Sequence, residues 1–277
     1  MRKAILTALL VLAAAQARAD SIIPLNTSGP RPTAQLTIGA DAPVTVIFDS
    51  GAGGAVLSTE VGRRNNLSNE GHVQIKSPGA LQSIPAYFSR LPAARLGGAD
   101  VSGARVVIGD LGLPLPGISG VMSANTFAGS LVRFELTKAR VVVVPKSAST
   151  TPAIPSFPYA GDHPLPSAEI DVAGVKVTAH LDTGSGRGFS MPLEMADRVP
   201  LKEPLKPTET AKLAGGERKA FISHINGTVR VGPITLVDPQ VTFVERFPFA
   251  NVGFSILKDW TLVLDPAEQR SWLIKPE

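Results

Sequence analysis

Val44–Leu57 reads V-T-V-I-F-D-S-G-A-G-G-A-V-L, and a second version stands at Val177–Ser190, V-T-A-H-L-D-T-G-S-G-R-G-F-S. In each, a β-branched apolar run delivers one aspartate, Asp49 or Asp182, onto a hydroxyl residue and a glycine: Ser50-Gly51 and Thr183-Gly184. A strand of that composition expects burial, and a carboxylate at its end is costly there without partners. The glycine that follows permits a sharp turn that presents the carboxylate. Asp-Ser-Gly or Asp-Thr-Gly alone is a common turn capped by its own aspartate. Two copies in matching frames point instead to two carboxylates that meet.

The matching extends outward from these loops. Ala34–Ile38 and Val44–Phe48 read as a hairpin leading into Asp49, and Ala168–Val172 with Val175–Leu181 form its counterpart before Asp182. Ala55–Arg64 reads as a strand and short helix, matched by P-L-E-M-A-D-R from Pro192. A glycine-tipped hairpin follows each aspartate, with Gly79 at the first tip and Gly215-Gly216 at the second. Ile118-Ser119-Gly120 is paired by spacing with Asn251-Val252-Gly253, and L-V-R-F-E-L with T-L-V-L-D. A repeat of this length sets the domain organisation. It divides the chain into an N-terminal lobe at 20–145, a Ser/Thr/Pro-rich linker at 146–166 and a C-terminal lobe at 167–277. Short strands, glycine and proline turns and few convincing helices make the chain mainly β. Two similar halves, each with a central aspartate loop, imply a pseudo-two-fold axis between the loops.

The first residues carry export features: Arg2 and Lys3, an apolar stretch from Ala4 to Ala15, and Ala17-Arg18-Ala19 before Asp20. That pattern predicts a signal peptide at 1–19 and a mature chain from Asp20, with an uncleaved anchor as the alternative. No later stretch resembles a transmembrane helix. Its short Ala/Leu-rich form favours the periplasm, with full secretion as the second choice. Without Arg2, Lys3 and Arg18, the 27 basic residues become 24 against 23 acids, so the formal charge of +4 falls to +1. A near-neutral mature chain gives no footing for nucleic acid, which calls for a concentrated basic patch. With no cysteine, disulfides, thiolate metal sites and thiol nucleophiles are excluded.

F-D-S-G-A at Phe48–Ala52 and L-D-T-G-S at Leu181–Ser185 resemble the active-site motif of pepsin-like and retropepsin-like aspartic proteases. The resemblance spans both halves and is nearest to exported bacterial retropepsin-like proteins with two fused lobes. It implies two acid-protease β-barrel lobes, with Asp49 and Asp182 as the catalytic pair. Ser50 and Thr183 would bond across the loops, and Gly51 and Gly184 would let backbone N–H groups reach the carboxylates. A glycine-bearing hairpin in each half, Gly79 in one and Gly215-Gly216 in the other, resembles a two-flap arrangement. Tyr87 is read as a packing residue rather than a flap tyrosine.

The chemistry implied is hydrolysis of a peptide bond by water, with a base to activate the water and an acid to protonate the carbonyl oxygen and leaving amine. Two close carboxylates sharing one proton supply both. The lobes differ at Ala52 against Ser185. A serine hydroxyl donating to Asp182 predicts that the shared proton resides on Asp49. The substrate would be a polypeptide bound extended along the hairpins. No cofactor or metal is implied, and a monomer is expected.

Other readings are weaker. Gly184–Gly188 has G-x-G-x-G spacing without a βαβ setting, which argues against a phosphate loop. His72, His163, His180 and His224 lack ligand spacing. His180 shares a strand face with Asp182 and is read as structural. Trp260 and Trp272 are read as core or interface residues. Two functions compete: an exported aspartic endopeptidase, and a catalytically silent fold of the same kind that binds a peptide or protein.

Overall fold

The computed structural model describes residues 20–76, 80–112, 116–148, 151–161, 165–213 and 216–276. The proposed signal segment 1–19 and the hairpin-tip glycines Gly79 and Gly215 lie outside them.

Two nine-stranded sheets repeat one order. The first runs His72–Ile75, Ile84–Arg90, Arg105–Ile108, Val56–Leu57, Gly120–Ser123, Val44–Asp49, Thr33–Ile38, Ala94–Leu96 and Ala99–Asp100. The second runs Lys206–Leu213, Gly216–His224, Gln240–Val244, Phe189–Pro192, Ala250–Gly253, Val175–Asp182, Ser167–Val172, Thr228–Val231 and Ile234–Val237. Both sheets are curled into half-barrels, and the chain is mainly β. In each, the aspartate strand runs parallel to the strand that returns behind it and antiparallel to the strand that precedes it. A strand covered on both faces by such neighbours reads as a continuous apolar run rather than an alternating one. Val46, Ile47 and Phe48 are accordingly buried in a row, as are Ala179, His180 and Leu181.

A six-stranded sheet joins the two halves. Ser130–Glu135 of the first half pairs antiparallel with Thr261–Asp265 of the second, with each half's final strand outside them. Its edges are Ser21–Pro24 on one side and Phe157–Pro158 on the other. Phe157–Pro158 falls in the Pro-rich segment 146–166, and an edge is where a sheet tolerates proline. Phe48, with no exposure, packs its ring 5.0 Å from Phe134 of the joining sheet and 6.2 Å from Phe127. The residue before each aspartate is thus an anchor in the core, which fixes where the carboxylate emerges. Trp272 is buried on the joining sheet, and Trp260 packs against the main core.

One expected correspondence is corrected. Ser123 lies opposite Asp49, and Gly253 lies opposite Asp182. Each is followed by a short helix, Ala124–Phe127 or Phe254–Leu257. The counterpart of Asn251-Val252-Gly253 is therefore Val121-Met122-Ser123, three residues beyond Ile118-Ser119-Gly120. Constant spacing misled because the connections before the two strands differ in length. The hairpins after each aspartate are present: His72–Ile75 pairs with Ile84–Arg90, and Lys206–Leu213 with Gly216–His224. The strand after the first tip starts at Ile84. Tyr87 sits on the core side, with its hydroxyl 3.5 Å from the Leu67 carbonyl and against Gly62 of the helix Thr59–Arg64.

Candidate active site

The two aspartate loops meet. Ser50 N–H donates to Thr183 Oγ1 at 3.0 Å, and Thr183 N–H donates to Ser50 Oγ at 2.9 Å. The hydroxyls then pass their own protons across: Ser50 to the Leu181 carbonyl at 2.8 Å, Thr183 to the Phe48 carbonyl at 2.9 Å. Both side chains are buried, 1% and 0% exposed, so every donor in this four-bond lattice is spent inside the protein. Unmaking one buried partner would strand others, at a cost of about 1–3 kcal/mol each. The lattice therefore fixes one loop relative to the other.

The glycines bring the carboxylates together. A Cβ on Gly51 would stand 2.8 Å from Asp182 Cγ. A Cβ on Gly184 would stand 2.2 Å from Asp49 Oδ2 and 2.3 Å from its Cγ. Each carboxyl thus rests on the backbone of the opposite loop, a place only glycine leaves open. Gly51 N–H donates to Asp49 Oδ1 at 2.7 Å, and the Gly184 N–H also reaches Asp49. The two carboxyls hydrogen-bond to one another.

Protein atoms surround Asp49, although its surface is not sealed from solvent. Burial drives its carboxyl well above the usual carboxylate range, and the neighbouring Asp182 charge and the bond between the two add to that rise. The Gly51 and Gly184 N–H groups oppose it. The net direction favours the protonated form of the Asp49 carboxyl.

The expected cause of that asymmetry needs correction. Ser185 donates to Asp182 Oδ1 through its backbone N–H at 3.0 Å, where a hydroxyl contact was expected. The side chain that distinguishes the lobes is Asn251, whose Nδ2 donates to Asp182 Oδ2 at 2.9 Å. Only the amide nitrogen can face a carboxylate favourably, so the interaction sets the amide's orientation. Asn251 is 4% exposed, and its Oδ1 has no hydrogen-bond partner among the described residues. The parallel pairing of Val175–Asp182 with Ala250–Gly253 brings it there. The first lobe offers apolar Val121 at the matching register.

The loops are braced differently from behind. In the first lobe, Ser123 Oγ donates to the Ala52 carbonyl at 2.5 Å and Asn125 Nδ2 to the Gly53 carbonyl at 3.0 Å. In the second lobe the equivalent bonds come from backbone: Gly253 N–H donates to the Gly188 carbonyl at 2.6 Å and Phe254 N–H to the Ser185 carbonyl at 2.8 Å. A Cβ on Gly253 would collide with the Arg187 carbonyl, at 1.9 Å. The glycine is thus obligatory in one lobe, and serine is admitted in the other.

His180 stacks on Phe249 with ring centroids 3.6 Å apart and 17° between planes. Burial lowers its pKa from 6.5 to about 4, against a smaller upward pull from Asp182. A histidine neutral in the fold but protonated when unfolded subtracts stability as pH falls from 6.5 toward 4. At 1.36 kcal/mol per unit the loss across that window is on the order of 3 kcal/mol. His180→Phe, which keeps a ring for Phe249, is expected to abolish this part of the acid destabilisation. Urea unfolding at several pH values, compared with wild type, measures the difference.

Among the described residues, no group of three or more His, Cys, Asp or Glu is arranged to hold a metal. No helix there is long and apolar enough to cross a membrane. No curated protein matches the chain. The profile of the family described as aspartyl protease matches residues 34–126 and 168–257, one segment for each aspartate loop and together more than half of the sequence. The chain belongs to the aspartyl protease family.

Proposed function

We propose that the protein is an exported aspartic endopeptidase, and that Asp49 and Asp182 activate a water molecule for attack on a peptide carbonyl. The observation that carries this reading is the hydrogen-bonded lattice that brings the two aspartate loops together, with each carboxyl lying against the glycine of the opposite loop. With Asp49 protonated, Asp182 accepts the proton of the attacking water while Asp49 gives its proton to the carbonyl oxygen. Collapse of the tetrahedral intermediate returns a proton to the leaving amine and releases the carboxyl product. Ser50, Thr183, Gly51 and Gly184 hold the geometry, and the two hairpins offer strands for an extended substrate to pair with. The export features at 1–19 support a periplasmic location for this activity, and the presence of both aspartates in one chain supports a monomer as the working unit.

Digestion of a complex peptide mixture by residues 20–277, read by mass spectrometry, tests the reading. New termini that disappear when a peptide carrying a tetrahedral secondary alcohol in place of the scissile carbonyl is added are the expected outcome, since such a group imitates the transition state. Cleavage indifferent to that peptide would refute the dyad mechanism.

Asn251 is a positioning residue in this scheme. Its amide donates to the charged form of the pair, so its removal makes the first ionisation of the dyad harder. Asn251→Val, which installs the residue type of the first lobe, is expected to move the acid limb of kcat/KM upward by about one unit. An unmoved limb with reduced turnover would indicate packing alone.

A further inference from the structure

Two guanidinium groups flank the second aspartate loop. The segment before the first sheet packs onto it: the Pro30 carbonyl lies 3.0 Å from the position of a Cβ on Gly186, and Arg31 Nε donates to the Gly184 carbonyl at 2.5 Å. Gly184 itself lies against the Asp49 carboxyl, so Arg31 stands one residue's backbone from the dyad. Arg187, on the same loop, reaches the other way. Its Nη2 lies 3.5 Å from the Thr210 carbonyl in the second hairpin, and its Nη1 lies 3.5 Å from Thr242 Oγ1. These contacts are at the long limit for hydrogen bonds.

Both arginines are half-buried, and neither makes an ion pair among the described residues. Burial holds Arg187 below the usual arginine range; the exposed Glu209 carboxylate is the next influence and pulls the other way, and the charge of Arg31 adds a smaller lowering. Partial desolvation without a carboxylate leaves the forked donors largely unspent. At the positions corresponding to Gly186 and Arg187, 133 residues earlier, the first loop has Gly53 and Gly54. A Cβ on Gly53 would meet only Leu165, at 3.8 Å. The Asp182 loop thus carries one guanidinium of its own and a second bonded to its backbone, whereas the residues of the Asp49 loop itself carry none.

We infer that Arg31 and Arg187 form an anion subsite that takes an aspartate or glutamate side chain of the substrate on the Asp182-loop side of the scissile bond. A near-symmetric dyad accepts a peptide in either direction. One acidic side chain recognised on one side fixes the direction. The inference rests on the substrate being an extended peptide, as proposed above.

Its test is binding, measured apart from cleavage. Reduced-amide peptides of about eight residues, in which Glu replaces Gln at one position at a time, are titrated against residues 20–277 by fluorescence anisotropy. One position is expected to favour Glu by about tenfold, the scale of one charge-assisted hydrogen bond. That preference should weaken as salt rises, a readout that needs no variant. It should fall to near parity in Arg187→Gln and in Arg31→Gln, and turn toward Lys in Arg187→Glu. Equal binding of Glu and Gln peptides at every position overturns the subsite alone. A Glu preference without cleavage of the corresponding amide peptides removes the hydrolase reading and leaves the subsite standing. Failure of every peptide to bind overturns both.

Discussion

Asp49→Asn and Asp182→Asn are each expected to lower peptide cleavage by about 10^4-fold or more. Each removes a group that transfers a proton in more than one step, and one acid–base role alone is worth about 10^2–10^4. Cleavage rates at several pH values measure the loss. The first substitution should also change stability, in the opposite sense. Asp49 has a folded pKa raised above its unfolded value of 3.8. Such a group binds its proton more tightly in the fold, so it favours folding at low pH and subtracts stability as pH rises through 3.8 and above. An asparagine carries no charge to bury or repel. Asp49→Asn should therefore unfold at a higher temperature than wild type at neutral pH and lose that advantage in acid. An inactive and more stable variant is the signature of a site that holds a costly group for chemistry.

Gly184→Ala is expected to be almost as damaging to activity. A Cβ there would fall 2.2 Å from Asp49 Oδ2, a separation that no contact between non-bonded atoms sustains. Either the carboxyl or the loop must move, and a shift of about 1 Å in a reacting group costs on the order of 10^2-fold. Moving the loop would also disturb the bonds between Ser50 and Thr183. Gly51→Ala meets Asp182 at 2.8 Å and is expected to be the milder of the two. Steady-state rates of both variants, with circular dichroism to establish folding, check the ranking. A Gly184→Ala enzyme of normal rate would mean that the loops do not meet as described.

The aspartate loops were legible in the sequence because their geometry is local. An apolar strand, an aspartate, a hydroxyl residue and a glycine lie consecutively, and the duplication supplied the partner. The recurrence of the same elements in the two halves followed from the same repeat. Asn251 was visible only as one member of a triplet paired by spacing, because its contact with Asp182 spans 69 residues and depends on which residues a parallel pairing sets opposite. Arg31 lay further out of reach. It meets Gly184 across 153 residues, and the turn-rich segment that carries it gives no periodic signal. The register of the strands behind the loops was misjudged for a related reason. A repeat read at constant spacing cannot detect that one connection is three residues longer, whereas the short helices after Ser123 and Gly253 mark the correspondence once the backbone is seen. Phe157–Pro158 reads as linker by composition, and only its partner strand makes it part of a sheet.

The central claim is that Asp49 and Asp182 act as one proton-sharing pair. Carbon-13 NMR titration of aspartate carboxyls in residues 20–277, assigned through Asp49→Asn and Asp182→Asn, tests it without any substrate. The account predicts two coupled steps, the Asp49 carboxyl remaining protonated far above the usual range, and collapse of the coupling when either aspartate is replaced. Two independent titrations at ordinary aspartate values, each indifferent to loss of the other residue, would contradict it.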